Sequence, residues 1–409
     1  MSESKRLKNI ALVIGSGITP RRDNKNYWEG GVIPWLKTEQ LGEKNIYDTN
    51  EKITKFALDD TSIKIFPVNT LSMAMYGEGR TRGNVSILKK EMATNQACCN
   101  IVLDKEKADY EYVYYYLKTQ YEQLRSLSSG VRKNLNSNDI KEFEIKLPSL
   151  STQQKIAAVL SALDTKIELN YRINAELESM AKTLYDYWFV QFDFPNEKGK
   201  PYKSAGGKMV WNEALKREIP LGWEVGTLLD IADFMNGLPC QKFRPTGSES
   251  LRVIKIREMH EGFSENSELT RPDIPQKAII ENGDVLFSWS ASLEVQIWSG
   301  GKGALNQHIF KVTSDKYPKS FYYYQLINYL THFKMMAENR KTTMGHITQE
   351  HLQQSRIALP TKHLTLKLEK IIDPIFKRKT VNEIDSQTLT ELRDWLLPML
   401  MNGQVRVMG

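Results

Sequence analysis

Cysteine is scarce in this chain: three in 409 residues, Cys98, Cys99 and Cys240, the first two adjacent. That number and spacing exclude a disulfide framework. Long apolar runs are missing too. Nothing approaches the ~20 consecutive apolar residues of a membrane span. The opening MSESKRLKN lacks the apolar stretch of a signal peptide, so a cytoplasmic chain with no membrane partner is expected. The six histidines are scattered, and His346 and His351 do not have the spacing of a metal pair, so no metal site is expected. There is no G-x-x-x-x-G-K-[ST] phosphate loop and no G-x-S-x-G elbow, and the glycines of GEGRTRG (77–83) are wrongly spaced for a dinucleotide fingerprint. One fragment, Asp373-Pro374-Ile375-Phe376, comes near the [N/D]-P-P-[Y/F] loop that grips a flipped base in amino-methyltransferases. Its third position is isoleucine, however, and no glycine-rich cofactor loop accompanies it, so it reads as a helix kink. No catalytic residue and no bound cofactor are expected.

What is present is ordered and moderately basic. Apolar residues make up 41% and aromatics 10%, which argues for packed cores rather than disorder. The length calls for two or more domains. A net charge of +7 fits a polyanionic partner without demanding one.

The chain also repeats itself. LNSNDIKEFEIKLPS (135–149) matches ITQEHLQQSRIALPT (347–361), with Pro148 and Pro360 separated by 212 residues. TNQACCNIV (94–102) matches LNQHIFKVT (305–313), YVYYYL (112–117) matches FYYYQL (321–326), and WLKTEQL (35–41) matches VIKIREM (253–259). More faintly, IALVIGSG (10–17) matches IADFMNGL (231–238). The offset drifts before Pro148, as loop insertions would cause, and can be held at 212 after it. The resulting order is domain, helix, domain, helix: 1–150, 151–195, 196–361 with a polar linker at its start, and 362–409. Apolar β-type runs alternate with short helical stretches and turn-rich segments, so each domain is expected to be α/β with mixed sheet order, an α+β arrangement.

Ser151 or Thr152 is expected to cap the first long helix. Its heptads give one row of Ile156, Leu163, Asn170, Leu177 and Leu184 and a companion row of Val159, Lys166, Ile173, Met180 and Tyr187. Adding 212 gives Leu368, Ile375, Asn382, Leu389 and Leu396, then Ile371, Arg378, Asp385, Leu392 and Met399. Pro374 and Pro398 are expected to kink or end the second helix. Each helix should run for about 38 residues, or ~57 Å. The chain returns after its second domain, so antiparallel pairing is natural and would bring Asn170 and Asn382 together. A buried asparagine pair costs stability but fixes register. Two similar domains held by such a coiled coil, with a pseudo-two-fold repeat, would make a ruler for half-sites a fixed distance apart.

Polar loops supply the candidate DNA-contacting residues: Thr38, Gln40, Tyr76, Arg80, Arg82, Asn95, Gln96, Arg132 and Lys133 in the first domain, and Lys255, Arg257, Trp289, Ser290, Asn306, Gln307, Lys341 and His346 in the second. Arginine can read guanine or grip phosphate. Asn95–Gln96 and Asn306–Gln307 recur at matched positions and carry amides able to pair with adenine. The asparagines could equally be turn or capping residues kept by the repeat. The tyrosine run 112–117 could stack bases or form a buried helix face.

With these parts in place, the chain resembles a specificity subunit of a type I restriction–modification enzyme. The resemblance spans nearly the whole length. It is sharpest in LYDYWFVQFDFPNEKGKPYKSAGGKMVWNE (184–213) followed by IPLGWEVGTLLDIADF (219–234); Thr19-Pro20, Tyr27-Trp28 and Ile33-Pro34-Trp35 are similar to a common start of the family's recognition domains, and LRDWLLPMLMNGQVRV (392–407) is similar to its usual C-terminus. The first domain lacks the GWE lead-in of the second. The resemblance implies a non-catalytic chain with two target recognition domains reading a bipartite, asymmetric double-stranded DNA site. It also implies helices that dock two modification subunits, which use S-adenosylmethionine to methylate adenine N6, and restriction subunits that use ATP and Mg. The rival readings are a fused DNA methyltransferase, which would need the missing cofactor loop, and a coiled-coil scaffold with no role in DNA reading.

Overall fold

The computed structural model describes residues 3–77, 81–127, 134–290, 292–339 and 346–407. The chain divides into two compact units. The first is 1–166 with 389–409, and the second is 167–388.

In the first unit, strand Glu3–Arg6 pairs antiparallel with Glu144–Leu147, so the first domain closes its start onto its end. Between them lies a five-stranded sheet in the order Ala11–Ser16, Cys98–Leu103, Leu71–Ala74, Val85–Leu88, Asn45–Ile46. A three-stranded sheet places Ile33–Leu36 between Glu51–Ile53 and Ala93–Thr94. Helix Tyr110–Thr119 starts at Asp109, whose side chain accepts from the Tyr112 amide. All six residues of YVYYYL are buried, packed with Leu71, Ile87 and Ile101, so this run is core and not a stacking platform.

The second unit repeats this plan. Glu224–Thr227 pairs with Arg356–Leu359 and closes the domain in the same way. One four-stranded sheet runs Asp233–Asn236, Ile309–Thr313, Val285–Ser288, Glu294–Ile297. Another runs Leu269–Thr270, Leu251–Ile254, Gly303–Leu305, Ile279–Ile280. The parallel pair Trp35↔Ala93 of the first unit recurs as Val253↔Ala304. Sheet order is mixed in both, as expected. The stretch 196–222, read as linker, contains a small hairpin, Met209–Asn212 with Arg217–Pro220.

The first long helix is Leu150–Phe189 and the second is Lys362–Met401. Neither Ser151 nor Thr152 caps the first. Ser149 does, its hydroxyl oxygen accepting from the Thr152 amide at 3.3 Å. Pro374 and Pro398 lie inside an unbroken helix. A proline forfeits one backbone bond, but Pro374 is on the exposed face and buried Ile372 and Phe376 hold the turn around it.

The companion rows differ from expectation. Val159, Lys166, Ile173, Met180 and Tyr187 are exposed or half-exposed. The row that faces inward lies one residue further on, with Gln153, Leu160, Ile167, Asn174, Ala181 and Trp188 all buried. The same one-residue shift holds in the second helix, where Thr365, Ile372, Ser386 and Leu400 are buried while Ile371 and Leu392 are exposed.

Asn170 and Asn382 are both buried and adjacent, but they do not pair amide to amide. Asn170 Nδ2 donates to Asp385 Oδ2 at 2.8 Å, to Ser386 Oγ at 3.2 Å and to the Asn382 carbonyl at 3.4 Å. The amide pair is formed by Asn382, whose Nδ2 donates to Asn174 Oδ1 at 2.8 Å. Asn174 in turn donates to the Lys379 carbonyl at 3.1 Å. Partner numbers fall as helix numbers rise, so the helices run antiparallel here. Asn382→Leu is expected to cost about 1–3 kcal/mol, because Asn174 keeps a buried oxygen with no donor. The double variant Asn174→Leu/Asn382→Leu should recover most of that loss, since both partners become apolar. A double-mutant cycle in denaturant checks this, and a double variant weaker than the sum of the singles would refute it.

Candidate nucleic-acid interface

The frame of the site is the same in both domains. Gly17 donates to the Cys98 carbonyl and Ile18 to that of Thr94, while Gly237 donates to the Ile309 carbonyl and Leu238 to that of Leu305. A Cβ on Gly17 would lie 2.0 Å from the Thr94 oxygen, and one on Gly237 would lie 2.3 Å from the oxygens of Leu305 and Asn306. Only glycine permits that approach. The match between 10–17 and 231–238 was faint because of one residue. A bulge between Ala11 and Val13 pushes out Leu12, so the ungapped match is in step at Ile10 and Ala11 and slips by one residue after them, setting Gly17 against Leu238 instead of Gly237.

Asn95 and Asn306 follow these contacts directly. Asn95 Oδ1 accepts from the Ala97 amide at 3.1 Å, and Asn306 Oδ1 accepts from the His308 amide at 3.3 Å. Their oxygens build the same turn twice, each with one accepted backbone hydrogen bond. The glutamine beside each is held by a different neighbour. Thr19 Oγ1 donates to Gln96 Oε1, whereas Gln307 Nε2 meets His308 Nε2 at 3.2 Å.

Around Gln96 the first domain gathers residues that sequence reasoning passed over. The Arg22 guanidinium lies 3.9 Å from the Trp28 ring centre and 4.8 Å from that of Trp35. It pairs with Glu51, and Lys37 pairs with Glu51 at 2.7 Å and Glu39 at 2.8 Å. The Arg22 hydrogen bond holds the Glu51 carboxyl below its ordinary range, and Glu39 with Glu51 raises Lys37. Trp35 Nε1 donates to the Ile18 carbonyl at 3.0 Å. Of the other candidates, Thr38 and Gln40 form a short helical turn beside Lys37, and Gln40 Oε1 accepts from the Asn50 amide at 3.2 Å. Tyr76 is exposed. The Arg82 carbonyl accepts from Arg125 at 3.2 Å. Arg80, Arg132, Lys133 and Lys341 lie outside the described residues.

In the second domain Trp289 packs between His308 and His346, with ring centres at 5.6 and 5.5 Å, and its Nε1 donates to Asn236 at 2.9 Å. Ser290 is buried beside it. Lys255 pairs with Glu268 at 2.5 Å and Arg257 with Glu258 at 2.6 Å. Glu258 is fully buried and also accepts from the Ser267 hydroxyl at 3.0 Å and the Lys255 amide at 3.2 Å. Charge pairing of the kind made by Glu51 with Arg22 and Lys37, and by Glu258 with Arg257, leaves no periodic trace. An acid among bases is the only signal available.

Burial pushes the Glu258 carboxyl up, but the bonds from Arg257 and Ser267 outweigh it, and the net shift is downward. A carboxyl lowered by folding contributes stability above its unfolded value near 4.5 and loses it as pH falls through the folded value. Glu258→Gln is expected to cost about 1–2 kcal/mol at neutral pH and to flatten the acid side of the stability curve. Unfolding followed between pH 3 and 7 checks this; superimposable profiles would exclude it.

Known proteins are similar to this chain in sequence and fold. The sequence profile of the type I restriction modification DNA specificity domain matches residues 2–179 and 220–391. The specificity subunit of the MjaIX restriction enzyme of Methanocaldococcus jannaschii is 30% identical across 98% of this chain and 93% of its own length. That of the HindI enzyme of Haemophilus influenzae is 23% identical across 68% of this chain and 72% of its own. The crystal structure of a type I S subunit from M. genitalium superposes with a TM-score of 0.63 at 17% identity, covering 98% of this chain and 96% of that one. Matched in both halves by the family profile and along nearly its whole length by a specificity subunit, this chain belongs to the type I restriction–modification specificity family.

Proposed function

We propose that the chain reads a bipartite, asymmetric DNA site, one half-site per recognition domain, and that it carries no catalysis of its own. The observation behind this is the duplicated turn. One backbone frame occurs twice, at Gly17–Asn95 and at Gly237–Asn306. It is dressed once with Thr19, Gln96 and Arg22 and once with Gln307, His308 and Trp289. Equal frames with unequal side chains fit two half-sites of different sequence. Methyl transfer and ATP-driven steps would belong to partner subunits, together with S-adenosylmethionine, ATP and Mg.

Partner docking is proposed on the outer face of the long helices. Leu169 and Met180 of the first helix are exposed, and so are Val381 and Leu392, each 212 residues further on. Exposed apolar positions that obey the repeat offer the same surface twice and fit two copies of one modification subunit. Restriction subunits would join through that assembly.

The test uses the chain assembled with its modification subunits. Binding should weaken linearly in log salt, and sequencing of methylated adenines should return two unlike half-sites with a fixed gap. Methyl transfer by the chain alone would overturn the non-catalytic reading. Salt-insensitive binding with no defined site would favour a scaffold.

A further inference from the structure

The repeat gives the two long helices the same length of 40 residues and places Asn170 and Asn382, Leu177 and Leu389, and Leu184 and Leu396 in register, and that raises a pairing problem. A first helix of this pattern also presents a partial seam to the first helix of another copy. Two ion pairs across the seam break this equivalence. Asp164 Oδ1 meets Arg393 Nη1 at 2.9 Å, and Glu178 pairs with Lys379. Both acids are on the first helix and both bases on the second. The repeat does not preserve them. The residues 212 positions from Asp164 and Glu178 are Phe376 and Thr390, and those 212 positions from Arg393 and Lys379 are Ala181 and Ile167.

The exchange extends into the packing. Asp164 is joined by Lys44 at 3.3 Å and by the Tyr115 hydroxyl. In the second unit the matching Tyr324 lies against Phe376, with ring centres 5.8 Å apart. Its hydroxyl is buried with no partner among the described residues. Ala181 is fully buried in the same core as Phe376. One unit therefore has an acid–base contact where the other has alanine and phenylalanine.

We infer that these contacts form a matching code that ties the first helix to the second helix of its own chain and rejects pairing between like helices of two copies. If two first helices paired in the same antiparallel register, Asp164 would face Ala181 of the other copy, and Glu178 would face Ile167. All four carboxylates would lose their bases. Two second helices would set Arg393 against Phe376 and Lys379 against Thr390. Mispaired charge of this kind is how related helices choose partners. The code matters most during synthesis. The second helix follows the first by 212 residues, so at ~5–20 residues per second the first waits about 10–40 s beside other nascent copies.

The experiment co-expresses two differently tagged full-length copies, captures one tag and quantifies the other; DNA binding plays no part, so the outcome is independent of the reading role. The parent should carry almost no second copy. Asp164→Asn with Glu178→Gln, which neutralises the two seam acids of the first helix, should carry about tenfold more. Lys379→Gln with Arg393→Gln, at partly exposed positions, should behave alike and serves if the first variant is insoluble. Equal, parental levels in a folded variant would overturn the proposal, and so would a parent already rich in second copy. Loss of folding in both variants would assign the pairs to stability rather than partner choice and would equally overturn it.

Discussion

Trp35→Ala is expected to destabilise the first recognition domain by about 3–5 kcal/mol, the cost of emptying a large buried aromatic site. Trp35 is 1% exposed, and it packs edge-on against Trp28 with ring centres 5.0 Å apart. Its loss also removes the hydrogen bond that ties Ile18 in place and one of the two rings under Arg22. The cost is therefore paid twice, in packing and in the geometry of the Gln96 turn. Trp35→Phe keeps most of the volume but not the Ile18 bond, so it should lose about 1 kcal/mol. Denaturant unfolding of the two variants measures the difference. On the proposed bipartite reading, Trp35→Ala should abolish site-specific methylation by the assembly with modification subunits, because one half-site would lose its reader. A loss below about 1 kcal/mol for the alanine variant would show that the ring is not the keystone of this surface.

The second large effect concerns spacing and rests on the proposed bipartite reading. Removing seven residues from the first long helix, together with the seven that face them in the second, keeps the heptad rows in phase. Each helix shortens by about 10.5 Å, close to three base pairs at ~3.4 Å each. The half-site sequences should stay as they were and the gap between them should change. Three base pairs also turn the groove by roughly 100°; where the supercoil does not absorb that rotation, the gap settles at the next length it accommodates or binding is lost. Mapping methylated adenines distinguishes these results. An unchanged gap with altered half-site bases would show that the helices do not set the spacing.

How far the sequence could be read depends on which physical force left its mark. Repeated hydrophobic burial did, which is why the matches around Pro148 and Pro360 and the buried tyrosine runs were legible. The β-bulge at Leu12 hid the repeat of the glycine turn by a single residue. The seam was misread for a subtler reason. Val159, Met180 and Tyr187 look like core, and Asn174, Lys379, Ser386 and Arg393 do not. Yet the second set faces inward, because each polar group there finds a partner across the seam: Asn174 with Asn382, Lys379 with Glu178, Ser386 with Asn170, Arg393 with Asp164. Apolar periodicity cannot show a row that is held by matched polar groups. The candidate contact residues were partly visible as amides and bases in loops. Their grouping around Arg22, Glu51 and Glu258 was not, because charge pairing of this kind follows no period.

The short ribbons that close each recognition domain have a consequence for inheritance. Glu3–Arg6 lies beside Glu144–Leu147, and Glu224–Thr227 lies beside Arg356–Leu359. Chain entry and chain exit are thus neighbours in both domains, each just before a long helix. To the helices, everything between those strands hangs from one point. A segment spanning that interval is joined to the rest of the chain at one place, so a different segment with the same paired ends would fit the frame without a change of connection. On the proposed reading, such an exchange would bring in new recognition whole, leaving point mutation only to refine it.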